Sequence, residues 1–413
     1  MIGIIKLFPH QEQVLNETYE FDRVAYYLDM GLGKTFVGSQ KLWELNTPYN
    51  IVVCQKSQIN DWANHFRQHY DYDVVIYDKP KKVKPESIII INYDKIWRRP
   101  ELKKIKHFTL MLDESSLIQN EKTKRTKFIL NLKPDNVILL SGTPTGGKYE
   151  KLYSQLKLLG WDISKTQYMK RYVDFKPNKY WGGIKILGYK NVDELKEKLR
   201  EHGAVFMKTE EVYDLPDQNY VKVRCNLSKE YKEFNTHHII NYKNQQIVGD
   251  TSAVARINLR LFASVRNKNK MDRLKDLIDS TNDRLIIFYN YNEELETLKK
   301  LITDRPLSFI KGGLVDKKNY EECDDSITLV QYQAGSKGHN LQKANKIIYL
   351  SPPDSVENWM QSLKRVHRIG QERSVFYYQM ITDDSIEYKI YSALERGVDY
   401  TNELFKQDFD WEE

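Results

Sequence analysis

The chain has 413 residues, 40% hydrophobic and 29% charged, with a formal net charge of +7. This composition excludes a disordered or fibrous chain, predicts two or three packed domains, and permits a polyanionic partner without requiring one. Three dispersed cysteines, Cys54, Cys225 and Cys323, form no CxxC pair, which argues against zinc and a disulfide framework. They point instead to plain thiols in a reducing compartment.

No apolar run reaches the ~18 residues of a membrane span, and MIGIIKLFPHQ is too poor in apolar residues for a signal peptide. The expected location is therefore cytoplasmic. In chain order, FPHQ (8–11) opens a first helix. The amide of Gln11 both donates and accepts, so it can read an adenine edge, although a surface glutamine is the alternative. RVAYYL (23–28) reads as a buried strand, DMGLGKT (29–35) as a turn, and residues 36–45 as a helix. Strand, glycine turn, Lys-Thr and helix are the context of a phosphate-binding loop, with backbone N–H groups aimed at the phosphates. Met30, Gly31, Leu32 and Gly33 form the cradle. Lys34 is expected on the β/γ-phosphates and the Thr35 hydroxyl on Mg²⁺. The common GxxxxGK[ST] form places glycine at position 28, where this chain has Leu28.

Continuous β-branched runs follow at 50–54, 73–78 and 87–93, alternating with helical patterns such as SQINDWANHF (57–66). That alternation predicts a parallel sheet covered on both faces. KPKKVK (79–84) reads as a solvated loop. FTLMLDESS (108–116) is a strand ending in two acids. Asp113 can hold Mg²⁺ through water and Glu114 can orient the attacking water; a plain solvent-facing turn is the weaker alternative downstream of a phosphate loop. Lys122, Lys124, Arg125 and Lys127 follow on one helix, facing either a phosphate backbone or water.

NVILLSGTPTGG (136–147) is a third strand-to-loop junction. Its Ser141 and Thr143 can couple hydrolysis to motion. Residues 171–190 read as a hairpin with Gly182-Gly183 at its turn, and 191–203 as an amphipathic helix with a glycine stop. Residues 209–262, polar and helical in pattern apart from YVKVRCNL (220–227), are expected to be a connector between a first lobe, 1–208, and a second, 263–413. The second lobe carries strand patterns at 284–290, 307–312, 326–332 and 346–350 and no second phosphate loop. AGSKGHNL (334–341) is a glycine turn able to touch nucleotide or nucleic acid. In VENWMQSLKRVHRIGQ (356–371), Gln361, Arg365 and Arg368 fall at i, i+4 and i+7, which predicts one helix face. Two arginines on a rigid face suit a γ-phosphate transition state; a solvated basic face is the alternative.

Taken in order, FPHQ, DMGLGKT, VVCQKSQINDW, LDES, LLSGTP, RLIIFYNY, QAGSKGHNL and QSLKRVHRIGQ resemble the motifs of superfamily-two helicases. DMGLGKT and HRIGQ (367–371) are the most specific, and the chain resembles the SWI/SNF-related branch of DNA-dependent ATPases over nearly its whole length. KNVDELKEKL and LPDQNYVKV (215–223) resemble segments of the annealing-helicase subgroup.

The resemblance implies an α/β fold of two RecA-like lobes with ATP in the cleft between them, and Mg²⁺ as cofactor. It implies Lys34 and Thr35 on phosphate and metal, Asp113 and Glu114 on metal and water, and Arg365 and Arg368 as arginine fingers. Gln11, Gly338 and Gln361 would complete the nucleotide contacts. Gly335 to Leu341 would join nucleotide state to DNA contact, and Lys56, Lys122, Arg125 and Lys337 would meet DNA. Two departures stand out: Ser115-Ser116 replaces the Ala-His of a DEAH motif, and TPTGGK lacks the usual asparagine after Thr-Pro. The expected protein is a bare monomeric motor of a bacterial or phage-infected cytoplasm, acting on duplex, forked or branched DNA. The alternatives are a strand-separating helicase on DNA or RNA, with the 172–190 hairpin as its wedge, and an inactive nucleic-acid-binding scaffold.

Overall fold

Apolar runs too short for long helices and too uniformly apolar for one-sided strands become the centres of two sheets. The computed structural model describes residues 5–145, 147–177, 184–335 and 340–409. They fall into two units, residues 1–213 and 214–413.

The first unit is built on β1 (Arg23–Leu28), β2 (Tyr49–Cys54), β3 (Asp73–Ile76), β4 (Ser87–Asn92), β5 (Phe108–Asp113), β6 (Asn136–Leu140) and β9 (Ala204–Met207). They lie in the order β3-β4-β2-β5-β6-β1-β9. Every pair is parallel. Ile88 to Ile91 are each at most 1% exposed. Burial on both faces removes any pressure to alternate polar and apolar residues. Helix Lys34–Leu45 sits close on the sheet because residue 38 is glycine: a Cβ there would lie 2.9 Å from Leu140 Cδ1. Two further strands, β7 (Val173–Pro177) and β8 (Ile184–Tyr189), pair antiparallel as the expected hairpin. Its turn, with Gly182 and Gly183, lies outside the described residues.

The second unit contains β10 (Gln218–Cys225), β13 (Leu285–Tyr289), β14 (Leu307–Lys311), β15 (Leu314–Asp316), β16 (Ile327–Gln331), β17 (Lys346–Tyr349) and β18 (Val375–Thr382). They are ordered β10-β18-β17-β13-β16-β14-β15. All pairs are parallel except the edge hairpin β14–β15.

The connector expected at 209–262 is corrected by this sheet. Residues up to Tyr213 stay with the first unit, where Thr209 N donates to Asp29 Oδ2 at 3.3 Å. Residues 218–225 are the edge strand of the second sheet, paired along eight positions with β18, a strand that the sequence pattern did not single out. The polar stretch after it is a helix, Lys229–His237, followed by an antiparallel hairpin, β11 (Ile239–Tyr242) and β12 (Gln245–Val248). Phe234, Leu259 and Phe262 of this segment share a buried cluster with Ile390 and Phe405. The segment looks polar because each helix buries only one stripe.

Candidate nucleotide site

The phosphate loop is held from below by the first helix, Pro9–Glu17. Phe8 N donates to Gln11 Oε1 at 3.0 Å, and Gln11 Nε2 donates to Leu32 O at 3.3 Å. His10 Nε2 donates to the same carbonyl at 3.1 Å. Gln11, 3% exposed, therefore has its amide on the loop itself rather than at a surface. Leu32 is fully buried, so it serves the loop through its carbonyl while its side chain joins the core. Gly33 must be glycine on two counts. Its φ is +73°, and a Cβ would lie 2.1 Å from Gln11 Nε2.

Gly33 is the N-cap of helix Lys34–Leu45, so Lys34 and Thr35 occupy its first two positions. There the helix offers backbone N–H groups and the positive end of its dipole to an anion. Lys34 Nζ donates to Leu28 O at 2.8 Å and Asp29 O at 3.1 Å. A carbonyl at residue 28 does this holding, so the leucine there in place of glycine does not disturb it. A Cβ on Gly142 would lie 3.4 Å from Lys34 Nζ and 3.6 Å from Met30 Cγ. The loop after β6 thus touches the phosphate loop, as it must where β6 and β1 are neighbours. Ser141, fully buried, accepts from Thr143 N at 3.2 Å and shapes that loop.

Asp113 is the last residue of β5. Trp62 Nε1 donates to its Oδ2 at 2.9 Å, and Tyr93 Oη donates to its backbone carbonyl at 2.8 Å. Burial pushes the Asp113 carboxyl above its ordinary value, while the indole N–H and the charge of Lys34 pull it back toward the ionised form. Glu114 has a left-handed backbone, φ 53° and ψ 59°. A non-glycine residue there stores roughly 1–3 kcal/mol of strain, the kind of outlier that clusters at functional sites. The strand stops at this point and a 3₁₀ turn, Ser115–Ile118, begins.

Where a DEAH motif has alanine, this chain has Ser115, whose hydroxyl builds a bridge. Ser115 Oγ donates to Gln155 Oε1 at 2.8 Å, Tyr27 Oη donates to the same oxygen at 3.0 Å, and Gln155 Nε2 donates to Pro144 O at 3.0 Å. One fully buried glutamine ties the acidic strand end to the Ser141–Thr143 loop. The sequence reading missed Trp62, Tyr93 and Gln155 as site residues. Trp62 carried a signal, its place in the quoted NDW string, whereas Gln155 carried none.

In the second unit, helix Val356–Leu363 ends before the two arginines. Gln361, 8% exposed, donates through Nε2 to Glu357 Oε1 at 3.2 Å. Arg365 and Arg368 lie beyond the helix, so the single helical face expected for all three is corrected. The chain after Leu363 is held by contacts that a continuing helix would break. Tyr377 Oη donates to Leu363 O at 2.7 Å, His367 Nε2 to Pro216 O at 2.8 Å, and Gln371 Nε2 to Ala344 O at 2.8 Å. Gly370, with φ +90°, turns beneath Gln342. Arg365 is 1% exposed, and burial lowers the pKa of the Arg368 guanidinium.

Gly338 and Lys337 lie outside the described residues. Lys56, exposed, opens a 3₁₀ turn after β2. Lys122 is exposed, and Arg125 sits 3.8 Å from Asp94.

The SNF2-related domain model matches residues 27–277, and the helicase conserved C-terminal domain model matches residues 269–370. Mouse SWI/SNF-related matrix-associated actin-dependent regulator of chromatin subfamily A member 1 is 24% identical over 89% of this chain and 40% of its own length. The putative ATP-dependent helicase/translocase YwqA of Bacillus subtilis is 24% identical over 92% of this chain and 46% of its own length. The chain thus spans less than half of either relative. The solved Sulfolobus solfataricus SWI2/SNF2 ATPase core in complex with dsDNA matches with a TM-score of 0.45 and 24% identity, over 98% of this chain and 92% of that one. With well over half of its residues matched by the first model, the chain belongs to the SNF2-related family of helicase-like ATPases.

Proposed function

We propose that the chain is a DNA-dependent ATPase that translocates on duplex or branched DNA, remodelling DNA structures or displacing bound protein. One observation carries the reading. Three adjacent parallel strands, β5, β6 and β1, end in Asp113, the Ser141–Thr143 loop and the phosphate loop at one edge of one sheet. Lys34 would take the β/γ-phosphates. Thr35 and the recessed carboxylate of Asp113 suit Mg²⁺, which when bound would neutralise phosphate charge. Glu114 would orient water, and Arg365 and Arg368 would stabilise charge developing on the γ-phosphate. The adenine role of Gln11 and a nucleotide contact from Gln361 belong to the same proposal. Lys56, Lys122 and Arg125 would meet the phosphate backbone, so binding should be largely independent of sequence and steeply weakened by salt.

Steady-state ATP turnover at fixed low salt, without nucleic acid and with single strands, duplex, fork, four-way junction and RNA, tests this. Duplex or branched DNA should raise the rate well above single strands or RNA. Equal stimulation by single strands would favour a strand-separating helicase, and no stimulation by any nucleic acid would remove both motor readings.

A further inference from the structure

Among the tryptophans of the described residues, only Trp43 is more than half exposed, at 55%. It stands in the last turn of helix Lys34–Leu45, at the end opposite the phosphate loop. Beside it runs a groove of about 620 Å³, with Ile5, Leu7, Trp43 and Tyr72 as apolar walls and Asp71 and Glu86 in its lining. The only base among its lining residues is His69. Grooves elsewhere on this basic chain carry lysine or arginine, as at Lys222 and Arg224 or at Lys170 and Lys198.

The fold fixes these walls before any partner arrives. Helix Ile59–His69 ends at the groove, and Tyr70 follows it. Tyr70 Oη donates to Ser39 Oγ at 3.0 Å, and the same oxygen meets His65 Nε2 at 2.8 Å. The Tyr70 ring is thereby pinned, with the Tyr72 ring 6.2 Å away. Glu86 has φ +64°, a left-handed conformation that favours glycine. Its N donates to Pro48 O at 2.7 Å and its carbonyl accepts from Asp73 N at 3.1 Å, which fixes the turn that carries the carboxylate. Among the described residues, no lysine or arginine lies within ion-pair distance of Asp71 or Glu86. The C-terminal end of helix Lys34–Leu45 adds partial negative charge, with no basic residue in its last turn.

We propose that this groove docks a basic, partly apolar peptide segment of a partner protein. An exposed tryptophan beside a concave apolar wall is the kind of residue that anchors a protein interface. Its ring face also attracts a guanidinium or ammonium. Two carboxylates without a lysine or arginine partner, beside a helix C-terminus, favour cations and repel phosphate, so a basic peptide suits the groove and a nucleic-acid backbone does not. The volume is too large for a single ion and suits several side chains. The groove lies within the first unit, at the far end of a 12-residue helix from Lys34, a length of about 18 Å at 1.5 Å per residue. Docking there leaves the phosphate loop open and does not depend on the motor reading above.

The test is anisotropy with a fluorescein-labelled octapeptide of alternating arginine and leucine, against matched peptides of glutamate and leucine and of serine and leucine. The parent should bind the arginine peptide roughly 10-fold tighter than either control, and more weakly as salt rises. Trp43→Ala should weaken that binding about 10-fold, the scale of losing an anchor. Asp71→Asn with Glu86→Gln should weaken it about 3- to 10-fold and flatten its salt dependence. Melting temperature and duplex-stimulated turnover should match the parent's in both variants, because neither touches the nucleotide site. A parent that binds all three peptides alike, or none, would overturn the docking site while leaving the motor reading intact. Undiminished arginine-peptide affinity in either variant would do the same. A dimer in sedimentation that Trp43→Ala dissolves would overturn it in favour of a second copy of this chain. Loss of duplex affinity in Trp43→Ala would overturn it in favour of base stacking.

Discussion

The two units share a seven-stranded architecture but hold particular charges with different partners. In the second, Lys270 and Glu387 are both fully buried and bond each other at 2.6 and 2.7 Å. Thr382 N donates to the same carboxylate at 2.9 Å, and Arg260, 1% exposed, meets Asp354 at 2.7 Å. These charges are matched within the fold and hold helices Lys268–Asp279 and Ile386–Glu395 against β18. In the first unit, Lys34 rests on two backbone carbonyls and Asp113 on an indole N–H. The charge of Lys34 also bears on the Asp113 carboxyl, so the two share one field at the ends of their elements. The contrast lies in what holds each charge: a buried carboxylate for Lys270, backbone carbonyls for Lys34 and an indole for Asp113.

Lys34→Ala is the strongest way to break that contrast. It should cut ATP turnover at saturating duplex by roughly 10³- to 10⁵-fold, the scale of losing a cation clamp on phosphoryl transfer, with little change in melting temperature. Substantial residual turnover would sink the assignment of the loop. Arg368→Ala should cost about as much in turnover, since a finger acts on charge that develops in the transition state. Glu114→Gln should bind ATP at near-parental affinity without hydrolysing it. If affinity fell together with rate, Glu114 would be structural instead.

In the second unit the same logic predicts a stability effect. Lys270→Met strands the Glu387 carboxylate and should cost about 3–5 kcal/mol in urea unfolding; adding Glu387→Leu should recover most of it. A double variant no more stable than the single would mean the pair does more than neutralise itself.

Smaller effects sharpen the picture of the first unit. Trp62→Phe keeps the ring and removes the N–H. It should weaken Mg²⁺-dependent nucleotide binding about 10- to 100-fold, the usual scale for groups behind a metal ligand. Nucleotide affinity in chelator should stay put; a loss there too would make Trp62 a packing residue. Gln155→Leu removes the bridge between Ser115, Tyr27 and Pro144 and should cost about 1–3 kcal/mol of stability through unpaired polar groups. A melting curve unchanged by Gln155→Leu would show that water or a neighbour replaces the amide.

What the sequence determined by itself is what is contiguous along the chain. RVAYYL is a strand over Arg23–Leu28, and the apolar runs before Asp113 and Ser141 are strands ending at Asp113 and Leu140. Strand, turn and helix succeed one another without a gap, so periodicity and turn chemistry suffice to place Asp113 and Ser141 at strand ends and Lys34 at a helix start. The tertiary structure decided whatever needs partners far apart in sequence. Trp62 reaches Asp113 across 51 residues, and Ser115 reaches Gln155 across 40. Residues 218–225 read as part of a connector because half of what makes them a strand is β18, more than a hundred residues later. The spacing of Gln361, Arg365 and Arg368 fitted a helix, but tertiary contacts such as that of Tyr377 with Leu363 end it sooner. Periodicity records which residues prefer burial; it does not record which distant group will bond them.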